Sequence, residues 1–283
     1  MVPGGRRRNG SPRGGRAPYR SPMDRDVADY YAQGGERDRL EGWSLERIRS
    51  ERLLRRYLPA PPARVLDVGG GAGRYAAWLA AEGWQVTMLD PVEVHVVQAS
   101  AQIPGCVERG DALGLPHADG SFDAVLVMGP LYHLERRADR VAALAEAIRV
   151  VRPGGVVVAA AISRMASMLD GLGSRAYLAD VRFRETVVRD LACGSHTNPT
   201  RTEGWFTTAH FHRVADLVEE LAAAGLVDVE VFGVEGPAWV FGDRGREPDA
   251  ESWRDAALWA AEAVERDPDF VPMSAHLLGI ARR

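Results

Sequence analysis

The chain has 283 residues, 46% of them hydrophobic and 26% charged, and a net charge of −4, an ordinary globular composition. No apolar run approaches the roughly 20 residues a membrane helix needs, and the acidic balance argues against nucleic acid as the main partner. All 35 basic residues are arginine, which excludes Schiff-base chemistry on a lysine.

Residues 1–22 are mostly Gly, Pro, Ser and Arg, with six arginines and no acid. They read as a disordered, solvated tail, with Met23 as an alternative start. A basic arm for an anionic surface is the functional alternative. The apolar core of a signal peptide is lacking. Residues 24–58 show helical spacing through Leu40, Trp43, Leu45, Ile48, Leu53 and Leu54, interrupted near Gly42 and closed by Pro59, Pro61 and Pro62.

From Arg64 the period changes. Residues 64–68 form a short apolar strand running into glycines, and 73–83 a helix with a glycine stop. Strand 85–90, helix 92–101 and a short strand 106–109 follow. A buried strand covers 122–128 and a strong amphipathic helix 138–151. Arg152-Pro153-Gly154-Gly155 reads as a turn before strand 156–162. This β-α-β-α alternation implies a parallel sheet with helices on both faces. Residues 164–209 are less regular, with a helix expected over 177–192. The remainder reads as helix 212–224, strand 226–232, helix 251–265 and a final strand 276–281.

The segment Asp67-Val68-Gly69-Gly70-Gly71-Ala72-Gly73 carries the most chemistry. A strand entering glycines and then a helix lets backbone approach a ligand closely. Such a loop alone serves NAD, FAD or another adenosine cofactor. Asp67, two residues before the first glycine, would repel a pyrophosphate but suits a zwitterionic amino-acid tail beside a cation. Asp90, followed by Pro91, ends the next strand, where an acid can accept hydrogen bonds from ribose hydroxyls. Asp111-Ala112 follows the third strand, where an adenine amino group can meet Asp111. Ligands of open parallel sheets bind at these strand ends.

Residues 64–155 resemble the class I S-adenosylmethionine-dependent methyltransferases. Their D/E-x-G-x-G-x-G loop is matched by Asp67, Gly69, Gly71 and Gly73, their ribose acid by Asp90, and their Asp-Ala adenine pair by Asp111 and Ala112. Residues 121–125 resemble their fourth-strand signature, and 152–155 the turn before their fifth strand. The resemblance implies a Rossmann-like, seven-stranded, mostly parallel sheet with an antiparallel last strand. It implies S-adenosylmethionine as cofactor and one methyltransferase domain over 23–283. Within that domain it implies an N-terminal helical lid (23–60) and a substrate-recognition insert (164–211) after the fifth strand.

It also implies that Met128 and Gly129 reach the cofactor, and that Tyr132 and His133, in the loop after the fourth strand, lie beside the reactive methyl. Tyr30 and Tyr31 belong to the expected lid; Tyr31 is expected to touch the sulfonium by cation–π attraction, and Tyr30 the substrate. In the insert, His196, Trp205 and Phe206 are expected to bind substrate, and His210 to serve in catalysis with Tyr132 and His133. Residues 233–239 form a second candidate pocket wall. His196, His210 and His212 lack the companion ligands of a zinc site, so no metal is expected.

Methyl transfer to O, N or C of a small molecule is the leading expectation. Other readings stay open: a different reaction of S-adenosylmethionine such as cyclisation releasing methylthioadenosine, a non-catalytic binder of it, and a nicotinamide oxidoreductase, which Asp67 disfavours. Two distant cysteines, Cys106 and Cys193, point to a reducing cytoplasm. A monomer or homodimer without nucleic-acid or membrane partners is expected.

Overall fold

The computed structural model describes residues 25–32, 43–174, 177–241 and 250–283. The basic tail, Met23 and residues 33–42 of the expected lid lie outside the described residues. Helix α1 (Arg25–Ala32) and helix α2 (Leu45–Tyr57) come first. The Ser44 side chain caps α2 by accepting from the Arg47 amide.

Strands β1 (Arg64–Val68), β2 (Gln85–Asp90), β3 (Val107–Arg109), β4 (Phe122–Val127) and β5 (Val151–Ser163) then alternate with helices. These are α3 (Arg74–Ala81), α4 (Glu93–Gln102), the single turn α5 (Pro130–His133) and α6 (Arg137–Val150). All five strands pair in parallel, in the order β3-β2-β1-β4-β5. Successive residues face opposite cores. Leu66, Val125, Val127, Val157 and Ala159 pack on one side of the sheet, and Val65, Ala124, Leu126, Val156 and Val158 on the other. A sheet covered on both faces needs such unbroken apolar runs, and these strands supply them.

Helix α7 (Ala166–Ser174), helix α8 (Val181–Cys193) and the two short strands β6 (Ser195–His196) and β7 (Ala209–His212) follow β5. Helix α9 (Val214–Ala223), strand β8 (Val227–Gly233), helix α10 (Ala250–Ala263) and strand β9 (His276–Arg282) complete the chain. Strand β9 runs antiparallel to both β5 and β8. The seven expected strands are therefore present, with an antiparallel last strand.

Three local expectations are corrected. Residues 152–155 are not a turn before the strand but its first residues. Partner registers jump from Phe122↔Val151 to Ala124↔Val156, so the tetrapeptide is a bulge inside β5, with Gly154 at φ +74°. The insert, read as irregular, holds the antiparallel β6–β7 pair. Strand β7 also joins the end of β5 through Ile162↔Phe211 and Ser163↔His212, so Phe211 and His212 are extended and α9 starts only at Val214. The helix expected over 177–192 splits into a 3₁₀ turn, Tyr177–Ala179, and α8, whose Asp180 caps Arg182.

A buried ion pair ties α6 to α9. Arg140 on α6 donates to both oxygens of Glu220 on α9, at 2.7–3.0 Å. Its Nη1 donates to the carbonyls of Leu134 and Glu135. Opposing effects set the state of Glu220. Burial raises its pKa, but hydrogen bonds from His212 and Arg140 outweigh this and hold it at about 2. The pair fixes the loop that carries Tyr132 and His133. Among the described residues, no helix is long and apolar enough to cross a membrane.

Candidate active site

The carboxyl ends of β1, β2 and β4 open onto one cleft, with about 1030 Å³ of open space. Asp67, Gly69, Gly71, Asp90, Pro91, Asp111, Ala112, Met128 and Gly129 line it together with Tyr31, Tyr132 and His133. The strand order reverses between β1 and β4, the place where open parallel sheets bind ligands.

Two loops interlock at its floor. Gly69, Gly71 and Gly73 take positive φ, open to glycine at little cost. A Cβ on Gly129 would lie 2.6 Å from the Gly69 carbonyl oxygen, and one on Gly70 would lie 2.6 Å from Asp67 Oδ2. The glycines let the backbone close against the carboxylate and against the loop after β4.

The three acids are in different states. Asp67 is 1% exposed, and neither carboxylate oxygen has a hydrogen-bond partner among the described residues. Burial, with the nearby Asp90 charge, pushes its pKa up to about 7. Asp90 is buried but satisfied. Its Oδ2 accepts from the Gly71 amide at 2.9 Å, and its Oδ1 accepts from the Val92 amide at 2.9 Å and lies 3.1 Å from His95 Nδ1. An ionised carboxylate has about four acceptor positions, so Asp90 keeps one for a ligand while it shapes the loop. Asp111 Oδ1 accepts from the Leu113 amide at 2.7 Å, which fixes the turn.

Helix α1 crosses the cleft. Tyr31 Oη lies 2.8 Å from His133 Nε2, and the Tyr31 ring packs edge-on to His95 and His133, both at 5.2 Å. His133 Nδ1 faces the Thr208 carbonyl at 3.3 Å. A carbonyl only accepts, so Nδ1 carries the proton and Nε2 accepts from Tyr31. Burial lowers the His133 pKa to about 4, with His95 adding to the effect. Arg201 of the insert donates to Asp26 at 2.7 Å and to Asp29 at 3.0 Å, latching α1 from outside.

A second pocket, with about 910 Å³ of open space, shares Tyr31 and Tyr132 with the cleft. Tyr30, His196, Trp205 and Phe206 line it, as does Trp239 from the segment 233–239. Phe206 packs on Tyr30 at 5.7 Å, His133 at 5.9 Å and His196 at 6.2 Å.

His210 is a correction. In β7, Phe211 faces the second pocket, so period-2 alternation sends His210 to the other side of the strand. There it packs edge-on to His212 at 4.6 Å, and burial, His212 and Arg140 lower its pKa to about 3. It lines neither of these two pockets. The same alternation separates His196 from His210 and His212.

Sequence reasoning missed several lining residues: Arg74 and Tyr75 in the first turn of α3, Val92, and His95 on α4. Their only signal was proximity to the glycine loop and to Asp90. It also did not bring together Glu46, Glu235 and His276, whose carboxylate and imidazole atoms lie within 4.8 Å of one another.

A family model described as a methyltransferase domain matches residues 66–159. Over 178 residues the chain is 30% identical to a ubiquinone biosynthesis O-methyltransferase of Aromatoleum aromaticum, covering 60% of this chain and 67% of that protein. The chain belongs to the class I S-adenosylmethionine-dependent methyltransferases. A demethylmenaquinone methyltransferase of Beutenbergia cavernae is 40% identical to this methyltransferase over 104 residues, 36% of this chain and 42% of its own length. Among solved structures, S-adenosylmethionine-dependent methyltransferases share the fold. One from Thermotoga maritima covers 90% of this chain and 98% of its own (TM-score 0.55, 18% identity). Another, from Mesorhizobium loti, covers 85% and 100% (TM-score 0.54, 21% identity).

S-adenosylmethionine is the cofactor of this methyltransferase, and the cleft fits it. The orphaned Asp67 carboxylate matches the ammonium of an amino-acid tail, and Arg74 offers a cation to its carboxylate. The glycine cradle leaves room that a side chain would fill.

Proposed function

We propose that this methyltransferase transfers a methyl group to O, N or C of a small organic molecule held in the second pocket. The carrying observation is that this aromatic pocket shares Tyr31 and Tyr132 with the cofactor cleft. S-adenosylmethionine, when bound, supplies an electrophilic methyl on a sulfonium.

The protein's part is to hold, align and exclude water. Asp67 and Arg74 grip the amino-acid end, Asp90 the ribose, and Asp111 and Ala112 the adenine edge. Met128 and Gly129 floor the site beside them. Tyr31 closes the cleft, its ring offering a π face to the sulfonium. Tyr132 stands at the junction and orients the acceptor, with Tyr30, His196, Trp205 and Phe206 as the wall beyond. With a pKa of about 4 and Nε2 engaged by Tyr31, His133 acts as a neutral anchor of the closed lid. A proton leaving the acceptor passes to Nε2 only once Tyr31 withdraws. The two exposed free cysteines fit a reducing cytoplasm.

The test is product analysis with S-adenosylmethionine and a panel of small aromatic metabolites. S-adenosylhomocysteine together with a methylated metabolite is the expected outcome. Methylthioadenosine would mean a different reaction, and binding without any product would mean a non-catalytic protein.

A further inference from the structure

His196 lines the second pocket and is backed by a buried acid, Asp190. Asp190 on α8 is fully buried and His196 on β6 is 3% exposed. Asp190 Oδ2 lies 2.8 Å from His196 Nδ1 and also accepts from Ser167 Oγ. An ionised carboxylate only accepts, so the imidazole proton sits on Nδ1. Phe211 stacks flat on the ring, 4.7 Å away and 9° from parallel. The ring is thus held along one edge and one face. Its other nitrogen, Nε2, is buried with no hydrogen-bond partner among the described residues. A buried acceptor without a donor is unfavourable, and such a group in a pocket wall calls for a partner from a ligand.

The pocket's charge narrows that ligand. Among the described residues no arginine lines it, and the chain has no lysine. The acid Asp170 lines it instead. An anionic group entering there would meet Asp170 and, among the described residues, no arginine. Aromatic walls favour a flat ring, which packs edge-on or offset against them.

Resting on the reading that this pocket receives the methyl acceptor, we propose that the acceptor is an aromatic molecule bearing a hydrogen-bond donor, a hydroxyl or an amine, and no anionic group, and that His196 Nε2 accepts from that donor. Asp190 is a positioning residue: it fixes the tautomer and touches no substrate.

Equilibrium dialysis of the whole chain against four ring-matched probes tests this: 2-naphthol, 2-naphthylmethylammonium, naphthalene and 2-naphthoate. 2-Naphthol or the ammonium should bind about tenfold tighter than naphthalene, the value of one hydrogen bond, and naphthoate should bind weakest. Tightest binding of 2-naphthol marks a hydroxyl acceptor, and of the ammonium an amine. His196→Phe should erase the preference, and S-adenosylhomocysteine binding retained by the variant shows that it is folded. Asp190→Asn should shrink it and improve naphthoate, because Nε2 can then carry a proton. Equal binding of naphthol, ammonium and naphthalene, tightest binding of naphthoate, no binding of any probe, or a preference that survives His196→Phe would each overturn the proposal. S-adenosylhomocysteine binding, measured on the same samples by calorimetry, separates the two readings. Its absence would break the methyltransferase reading and leave the pocket result standing; its presence without a donor preference would break only this inference.

Discussion

At the scale of single residues, Asp67 carries the heaviest strain. A carboxyl whose pKa is raised from 3.8 to about 7 costs the unliganded chain stability as pH climbs through that window, because the charged form is desolvated. An ammonium beside it reverses the preference. Cofactor affinity should therefore rise with pH from about 5 to about 7 and then level off. Calorimetry in buffers of different ionisation heat should read proton release near neutrality. In Asp67→Asn the proton release should vanish and binding should weaken by about 1–3 kcal/mol. The glycines make a steric claim as well. Gly129→Ala sets a methyl 2.6 Å from the Gly69 carbonyl oxygen, a backbone atom that no rotamer change can move. It should lower the thermal midpoint and the cofactor affinity together, by about 1–3 kcal/mol.

Among the elements, the first helix and the insert act on each other. Tyr31 and Arg201 hold α1 down from two sides. Tyr31→Phe removes the donor to His133 Nε2 and should raise the KM for S-adenosylmethionine several-fold, about 1 kcal/mol, with little change in kcat. The Arg201 contacts are solvent-exposed, so added salt should mimic Arg201→Ala; stopped-flow cofactor association reads both. Arg140→Met would strand Glu220, 1% exposed, without its cation. Denaturant unfolding should show a loss of about 3–5 kcal/mol.

Over the whole molecule, acid sensitivity follows from its histidines. His133 and His210 have pKa values lowered to about 4 and about 3. The unfolded chain takes up protons near pH 6.5 that the folded one refuses, so stability is full above about 6.5 and falls as pH drops toward 4. Asp67 and Asp170, both raised by burial, work the other way, while Glu220, Glu146 and Asp123, held low by their arginine partners, act with the histidines. Melting curves from about pH 7 to 4 should fall, and less steeply for His210→Phe.

What the sequence disclosed follows the same physics. Strand–glycine–helix order and acids at strand ends are local patterns, so the cleft could be read from residues 64–129. The insert could not, because non-local pairing decides it. The face that His210 shows depends on Phe211 meeting Ile162, and the partner of His196 lies back on a helix across Gly194. Arg74, Tyr75 and His95 reach the cleft from ordinary helical sequence that carries no mark of it.

The most direct measurement is calorimetric titration of the chain with S-adenosylhomocysteine and, separately, with NAD, repeated on Asp90→Asn. One site for S-adenosylhomocysteine, none for NAD, and an affinity about 10- to 100-fold weaker in the variant is the expected result. Binding of NAD in its place, or an affinity untouched by Asp90→Asn, would contradict an adenosine-bearing cofactor gripped at the strand tips.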